Sequence, residues 1–290
     1  MFKNIFLKYF SLTKPKITFL VIFCTVISMF LAINKHFYLK KIIFSTIGIW
    51  LISSSAFIIN CLIEKKRDIL MKRTQNRATA KNKINIYIIL LIFSIFNLSG
   101  IYFLYTFVNK LTMWLTIITF IGYSIIYTIF IKPFTSYNII IGGLPGALPP
   151  ILGWATIKNT IFSIKPWILV LIIFFWTPPH FWSLAMFYKK DYIKSKLPIL
   201  PITHGEKFTK INIFIYTIIV FIISLIPFFI KMSGYIYIYI TILLNLIFIK
   251  YSWNLFYKYT NYITLKTFKY SIYYLFLMFI TLLIDHYYFF

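Results

Sequence analysis

Acidic side chains are almost missing from this chain. Five Asp and Glu stand against 30 Lys and Arg in 290 residues, a formal net charge of +25. Solubility therefore explains none of the five, and each carboxylate asks for a local reason. Charge of either sign is scarce: 12% of residues are charged and 61% hydrophobic, whereas about 25% charged is typical of a soluble domain. That excludes an ordinary soluble fold. Cysteine is limited to Cys24 and Cys61, both in apolar runs and without CxxC or metal-type spacing. This excludes a disulfide framework and leaves two inert buried thiols. The first sixteen residues hold neither a short apolar core with a small-residue cleavage site nor an Arg- and Ser-rich presequence. The first apolar run is therefore expected to be retained.

What the sequence does have is apolar runs of about twenty residues, long enough to cross a ~30 Å hydrocarbon core as helices. Nine spans are expected, at about 17–33, 42–63, 84–108, 111–131, 138–157, 166–187, 211–230, 235–249 and 267–284. The fold class is an all-α polytopic membrane protein, one domain over residues 1–290. With the N-terminus inside, 23 of the 30 Lys and Arg fall on the inner side, counting Lys269 at the edge of the ninth span, and 7 fall outside. This positive-inside bias assigns the charge to orientation. It places Lys72 and Lys194 inside, Lys35 and Lys158 outside. Cations divided among loops between spans disfavour a nucleic-acid partner.

Two inner loops are long, about 64–83 and 188–210, and both carry carboxylates; long loops in compact proteins tend to carry function. Each follows an even-numbered span, which hints at a duplicated helical unit. The last two spans read as scaffold. In the first loop Asn60, Glu64 and Asp68 are spaced four apart, so on a helix they drift only about 40° per step along one face. Hard oxygen ligands on one face suit Mg²⁺, which takes one or two carboxylates and completes its shell with water and phosphate oxygens. Arg73 and Arg77 follow and offer bidentate phosphate contacts. The plainer reading of the same spacing is an amphipathic helix end with i,i+4 ion pairs, each contributing about 0.2–0.5 kcal/mol.

The second loop is preceded by Trp176-Thr-Pro-Pro-His180-Phe-Trp182 and contains Lys190-Asp191. A Pro-Pro pair removes two backbone donors and is expected to bend or break the span. His180 is an ionisable residue inside the membrane and so a functional candidate, against the plainer reading of a histidine hydrogen-bonded to a neighbouring helix. Between the two loops, Gly142 to Gly153 gathers four of the nine glycines and three of the eleven prolines. Small residues allow close approach, and the prolines exclude a regular lipid-facing helix. Lys132, just before this span, adds a cation at the same end.

Together these stretches resemble the protohaem IX farnesyltransferase branch of the UbiA-type intramembrane prenyltransferase superfamily. The resemblance runs from Thr13-Lys-Pro-Lys16 through Asn60–Arg77 and Asn138–Trp154 to Trp176–Pro201 and Gly205. It implies nine helices around a central cavity open to the cytoplasmic side, in the bacterial cytoplasmic (inner) membrane. Asn60, Glu64, Asp68 and Asp191 would be the catalytic and Mg²⁺-holding residues. Arg73, Arg77, Lys132 and Lys190 would bind diphosphate, and His180 would bind haem. The implied substrates are farnesyl diphosphate and haem B, haem being substrate and not cofactor, with hand-over of the product to a terminal oxidase or haem A synthesis machinery. The chain departs from the family pattern in Glu64 and Lys66, where Asp is usual, and in Lys190, where an acid often stands. Two rivals remain. A prenyltransferase for a quinone-precursor ring usually carries a second multi-aspartate stretch, and here Asp191 is alone. A transporter shares the broken helices and intramembrane histidine but leaves Asn60, Glu64 and Asp68 beside Arg73 and Arg77 unexplained.

Overall fold

The computed structural model describes residues 2–33, 38–81 and 84–289; Lys35 lies outside the described residues. The helices are α1 (Phe2–Leu12), α2 (Pro15–Ala32), α3 (Leu39–Ile63), α4 (Lys65–Leu70), α5 (Ile86–Phe107), α6 (Lys110–Ile121) with its π-helical continuation Gly122–Ile131, α7 (Asn138–Ala147), α8 (Pro149–Lys158), α9 (Ile164–Phe187), α10 (Lys189–Lys194), α11 (Leu200–Thr203), α12 (Gly205–Phe229), α13 (Tyr235–Tyr257) and α14 (Asn261–Phe289). Among the described residues nine helical segments are long and apolar enough to cross a membrane, in the order expected. The protein is a multi-pass membrane protein. Three segments run further than their apolar stretches predicted: α12 begins at Gly205, α13 ends at Tyr257 and α14 begins at Asn261. An apolar run measures the hydrocarbon crossed, whereas a helix continues through polar turns as long as nothing breaks its hydrogen bonds.

Proline acts in two ways. Leu148 ends α7 and Pro149 opens α8, so the Gly142–Gly153 span is interrupted as expected, with proline at the first helical position, where its missing N–H costs nothing. Pro178 and Pro179, by contrast, lie inside an unbroken α9. Of the expected bend or break, the break does not occur. Tight packing of α9 holds it: Leu169, Ile172 and Trp182 are fully buried. At Gly153 a Cβ would collide with the Thr25 carbonyl of α2. Bare backbone there lets α8 press onto α2, and Ser28 Oγ donates to the Pro150 carbonyl at 2.6 Å across the same seam.

At the end of the bundle opposite the long loops, Asp285 of α14 accepts from the backbone N–H groups of Gly234 and Ile236. It caps α13, where a carboxylate complements the helix dipole. Within the bundle, Asn245 donates to Ser224 Oγ at 2.9 Å and accepts from Tyr274 OH at 2.9 Å. This polar network joins α12, α13 and α14 with each partner satisfied. Both cysteines are free and buried. Gly153→Val should destabilise the protein by about 1–3 kcal/mol or more, as overpacking does, while Gly146→Ala, with nothing within 4 Å of the new Cβ, should stay within about 0.5 kcal/mol. Thermal unfolding of the two variants in detergent measures the contrast.

Candidate active site at the long-loop end

Helical hydrogen bonds run from Glu64 N–H to the Asn60 carbonyl at 3.0 Å and from Asp68 N–H to the Glu64 carbonyl at 2.9 Å. The register therefore passes from α3 into α4 across the turn at Glu64. Asn60, Glu64 and Asp68 do share a face, and all three are buried. Each meets a cation from elsewhere in the chain. Lys14 Nζ donates to Asn60 Oδ1 at 2.6 Å, Lys132 forms an ion pair with Glu64 Oε1, and Arg77 Nη1 donates to Asp68 Oδ2 at 2.6 Å. Burial alone would raise the Glu64 carboxyl, but the ammonium groups of Lys132 and Lys14 outweigh it and hold Glu64 down at about 2. Lys132 is raised: burial opposes its charge, and the Glu64 carboxylate overcomes that. Lys14 is pushed down to about 8, chiefly by burial.

The second loop closes on the first. Asp191, in the first turn of α10, is buried, and its Oδ2 accepts from the Arg73 backbone N–H at 3.1 Å. The Arg73 guanidinium lies 5.8 Å over the Tyr188 ring. Asp68 and Asp191 thus occupy matching places, each in the first turn of a six-residue helix that follows an apolar span. Asn138 staples the two sides, donating to the Thr135 carbonyl at 2.7 Å and the Pro198 carbonyl at 3.2 Å. Lys190 is not drawn in. It is exposed and has no ion pair among the described residues, whereas its neighbour Lys189 pairs with Glu206 at 2.7 Å.

Five contributors were missed in the sequence. Lys14 stands in the left-handed region, φ 49°, at the start of α2; the basic Thr13-Lys-Pro-Lys16 stretch was its only signal. Thr128 accepts from Asn60 Nδ2 at 3.1 Å, and nothing local foretold it, because the π-helical turn aims it there. That turn also brings Tyr123 and Tyr127 together, 5.7 Å between ring centroids, with Phe57 edge-on to Tyr123 at 5.3 Å. Gly142 makes room for the Tyr127 ring, which any Cβ would strike. These rings adjoin the cations directly: Lys14 Nζ lies 5.3 Å over Phe57 and Lys132 Nζ 6.0 Å over Tyr127.

The donor set fits Mg²⁺. Glu64 Oε2, Asp68 Oδ1 and Asp191 Oδ1 have no hydrogen-bond partner among the described residues, so each carboxylate spends one oxygen on the protein and keeps one. Among the described residues no group of three or more His, Cys, Asp or Glu side chains is placed to hold a metal ion. Two carboxylates and open positions are what a hydrated Mg²⁺ takes, unlike a structural zinc.

His180 lies on α9, seven residues before its loop end. Its Nδ1 is 2.7 Å from Ser271 Oγ on α14. Trp176 stacks on the imidazole at 4.3 Å, Phe268 lies tilted at 4.7 Å and Phe181 edge-on at 5.0 Å. The last span, expected to be scaffold, supplies two of the groups around His180, Phe268 and Ser271.

Comparison with known proteins agrees with this architecture. Protoheme IX farnesyltransferases of Burkholderia ambifaria and Paraburkholderia xenovorans are each 49% identical over 282 and 280 residues, covering 97% of this chain and 94% and 93% of theirs. A digeranylgeranylglyceryl phosphate synthase superposes with a TM-score of 0.78 at 15% identity, covering 96% of this chain and 97% of that one. A UbiA homolog from Archaeoglobus fulgidus bound to GPP and Mg²⁺ superposes with a TM-score of 0.64 at 14% identity, covering 95% and 99%. These two share the fold. The UbiA prenyltransferase family model matches residues 21–283, nearly the whole bundle and both carboxylate loops, and the chain belongs to that family.

Proposed function

We propose that the chain transfers the farnesyl group of farnesyl diphosphate to a vinyl group of haem B, with addition of water, releasing diphosphate and forming haem O. One observation carries this reading: the order of chemistry along α9. Beyond its loop end Glu64 pairs with Lys132, Asp68 with Arg77 and Asp191 with the Arg73 amide, while Lys14 donates to Asn60; further in, His180 is set among aromatic rings. That order suits a charged, greasy donor and a flat, iron-bearing acceptor. The near-full-length identity to proteins named protoheme IX farnesyltransferase supports it.

Asn60, Glu64, Asp68 and Asp191 would hold Mg²⁺, which when bound neutralises diphosphate oxygens and so favours departure of the leaving group. Lys14, Lys132, Arg73 and Arg77 place fixed positive charge at the same mouth, preorganised for the charge that develops on diphosphate. Lys190 acts from the rim. Phe57, Tyr123 and Tyr127 keep water from the allylic carbon and favour positive charge there by cation–π attraction. His180 contacts the haem, imidazole being a usual haem-iron ligand. The mouth faces the cytoplasm of a bacterial inner membrane, the N-terminus lies on that side, and the product passes to a terminal oxidase or to haem A synthesis. The quinone-precursor reading gives no role to His180 among its rings, and the transporter reading leaves Asn60, Glu64 and Asp68 with their cations unexplained.

The direct test is extraction of haems from a host lacking its own enzyme and expressing this chain. A haem heavier by one farnesyl and one hydroxyl group is expected; prenylated quinone precursors in its place would move the assignment. Asp68→Asn removes one site charge at constant volume and should lower turnover about tenfold or more, the scale of lost metal-site support, while Glu64→Asp should keep or raise it. Full activity of Asp68→Asn at limiting Mg²⁺ would rule out the metal site. On orientation, cysteines at Lys72 and Lys194 should resist a membrane-impermeant thiol reagent applied from outside, whereas cysteines at Lys35 and Lys158 should react. Equal labelling of all four would overturn the topology.

A further inference from the structure

Ser271 of α14 is fully buried and meets α9 twice. Trp176 Nε1 donates to its carbonyl at 2.8 Å, and His180 Nδ1 lies 2.7 Å from its hydroxyl. A hydroxyl has one proton, and the Ser271 hydroxyl also lies 2.6 Å from the Phe268 carbonyl, which can only accept. Both contacts are hydrogen bonds at once only when Ser271 donates to Phe268 and accepts from the Nδ1–H of His180. In the neutral imidazole this leaves Nε2 with its lone pair. Nε2 has no hydrogen-bond partner among the described residues. Trp176 stacks on the imidazole and Phe268 lies tilted close by, which leaves little room for a porphyrin to lie flat on it.

We infer that Ser271 is a positioning residue: it locks His180 in the Nδ1–H tautomer and aims the bare Nε2 at the haem iron. This rests on the reading of His180 as the haem contact. It goes beyond it by naming the group that prepares the ligand, acting through His180 without touching the substrate. The oxygen acceptor behind a metal-binding imidazole fixes tautomer and ring orientation and raises the basicity of the ligand nitrogen, and its loss typically weakens metal binding by about 10- to 100-fold.

Two measurements test it. In the wild-type protein, ¹⁵N NMR of labelled histidine should find His180 protonated at Nδ1 and bare at Nε2; the opposite tautomer overturns the inference. In purified protein titrated with haem B, Ser271→Ala should bind about 10- to 100-fold more weakly with a shifted Soret band, while farnesyl diphosphate affinity stays unchanged. Wild-type haem affinity and Soret position in Ser271→Ala, alongside haem loss in His180→Ala, would remove Ser271 and leave His180 standing. Wild-type haem binding in His180→Ala would instead bring down the haem contact itself. Loss of farnesyl diphosphate binding together with haem in Ser271→Ala would reduce Ser271 to packing.

Discussion

A carboxylate can be buried beside a hydrocarbon layer only if its charge is met, because desolvating an unpaired ion costs several kcal/mol. That constraint organises this protein. Each of its five acids has an answering group: Glu64 has Lys132, Asp68 has Arg77, Asp191 has the Arg73 amide, Glu206 has Lys189, and Asp285 has the N-terminus of α13. Four of the five lie at the long-loop end. The partners of Glu64 and Asp191 come from distant parts of the chain, 68 and 118 residues away, so meeting those two charges brings the loops together. Buried ion pairs seldom add stability over apolar packing. Three buried carboxylates kept at one mouth are better explained by what they hold.

The π-helical stretch after α6 follows from the same demand. Thr128 donates to the Tyr123 carbonyl at 2.8 Å, and Lys132 N–H to the Tyr127 carbonyl at 2.8 Å, both spanning five residues. The wider turn shifts the register of the following side chains, which is why π-turns recur at functional sites. Here it brings Thr128 to Asn60 and Lys132 to Glu64 while Tyr127 settles against Gly142. Pro133, lacking an N–H, then ends the run. One irregular turn thus sets the amide, the cation and the aromatic wall together.

What could be read from the sequence was what is local. Apolar run length gave the spans because the bilayer sets it, and i+4 spacing put Asn60, Glu64 and Asp68 on one face because the helical register survives the turn at Glu64. Lys190 stays outside the ion pairs for a local reason as well: consecutive residues on a helix point about 100° apart, so a lysine next to a buried aspartate is directed away from it. Pairings across the bundle left no periodic trace. Lys14 reaches Asn60 over 46 residues and Ser271 reaches His180 over 91, and spacing carries no information at such separations. The Pro178-Pro179 pair reads as a break from propensity alone, yet packing on several sides carries α9 through it, since tertiary contacts override local preference.

The continuity of α9 has a consequence for the chemistry. Had the helix broken at the prolines, Trp176 and His180 would sit on separate segments, and the stacked rings that meet Ser271 together would come apart. With α9 continuous from Trp176 to Phe187 and α10 starting at Lys189, both rings stay on the segment that leads to the carboxylate end. Ser271 ties His180 to α14 as well, and Trp176 repeats that tie one turn earlier. Two helices therefore fix one imidazole, while the long-loop end, the proposed diphosphate site, is assembled from loops. A rigid acceptor site beside an adaptable leaving-group site suits transfer of a short-lived cation: the vinyl carbon must already be in place when the C–O bond breaks, because near-attack positioning, not later diffusion, decides whether the cation meets carbon or water.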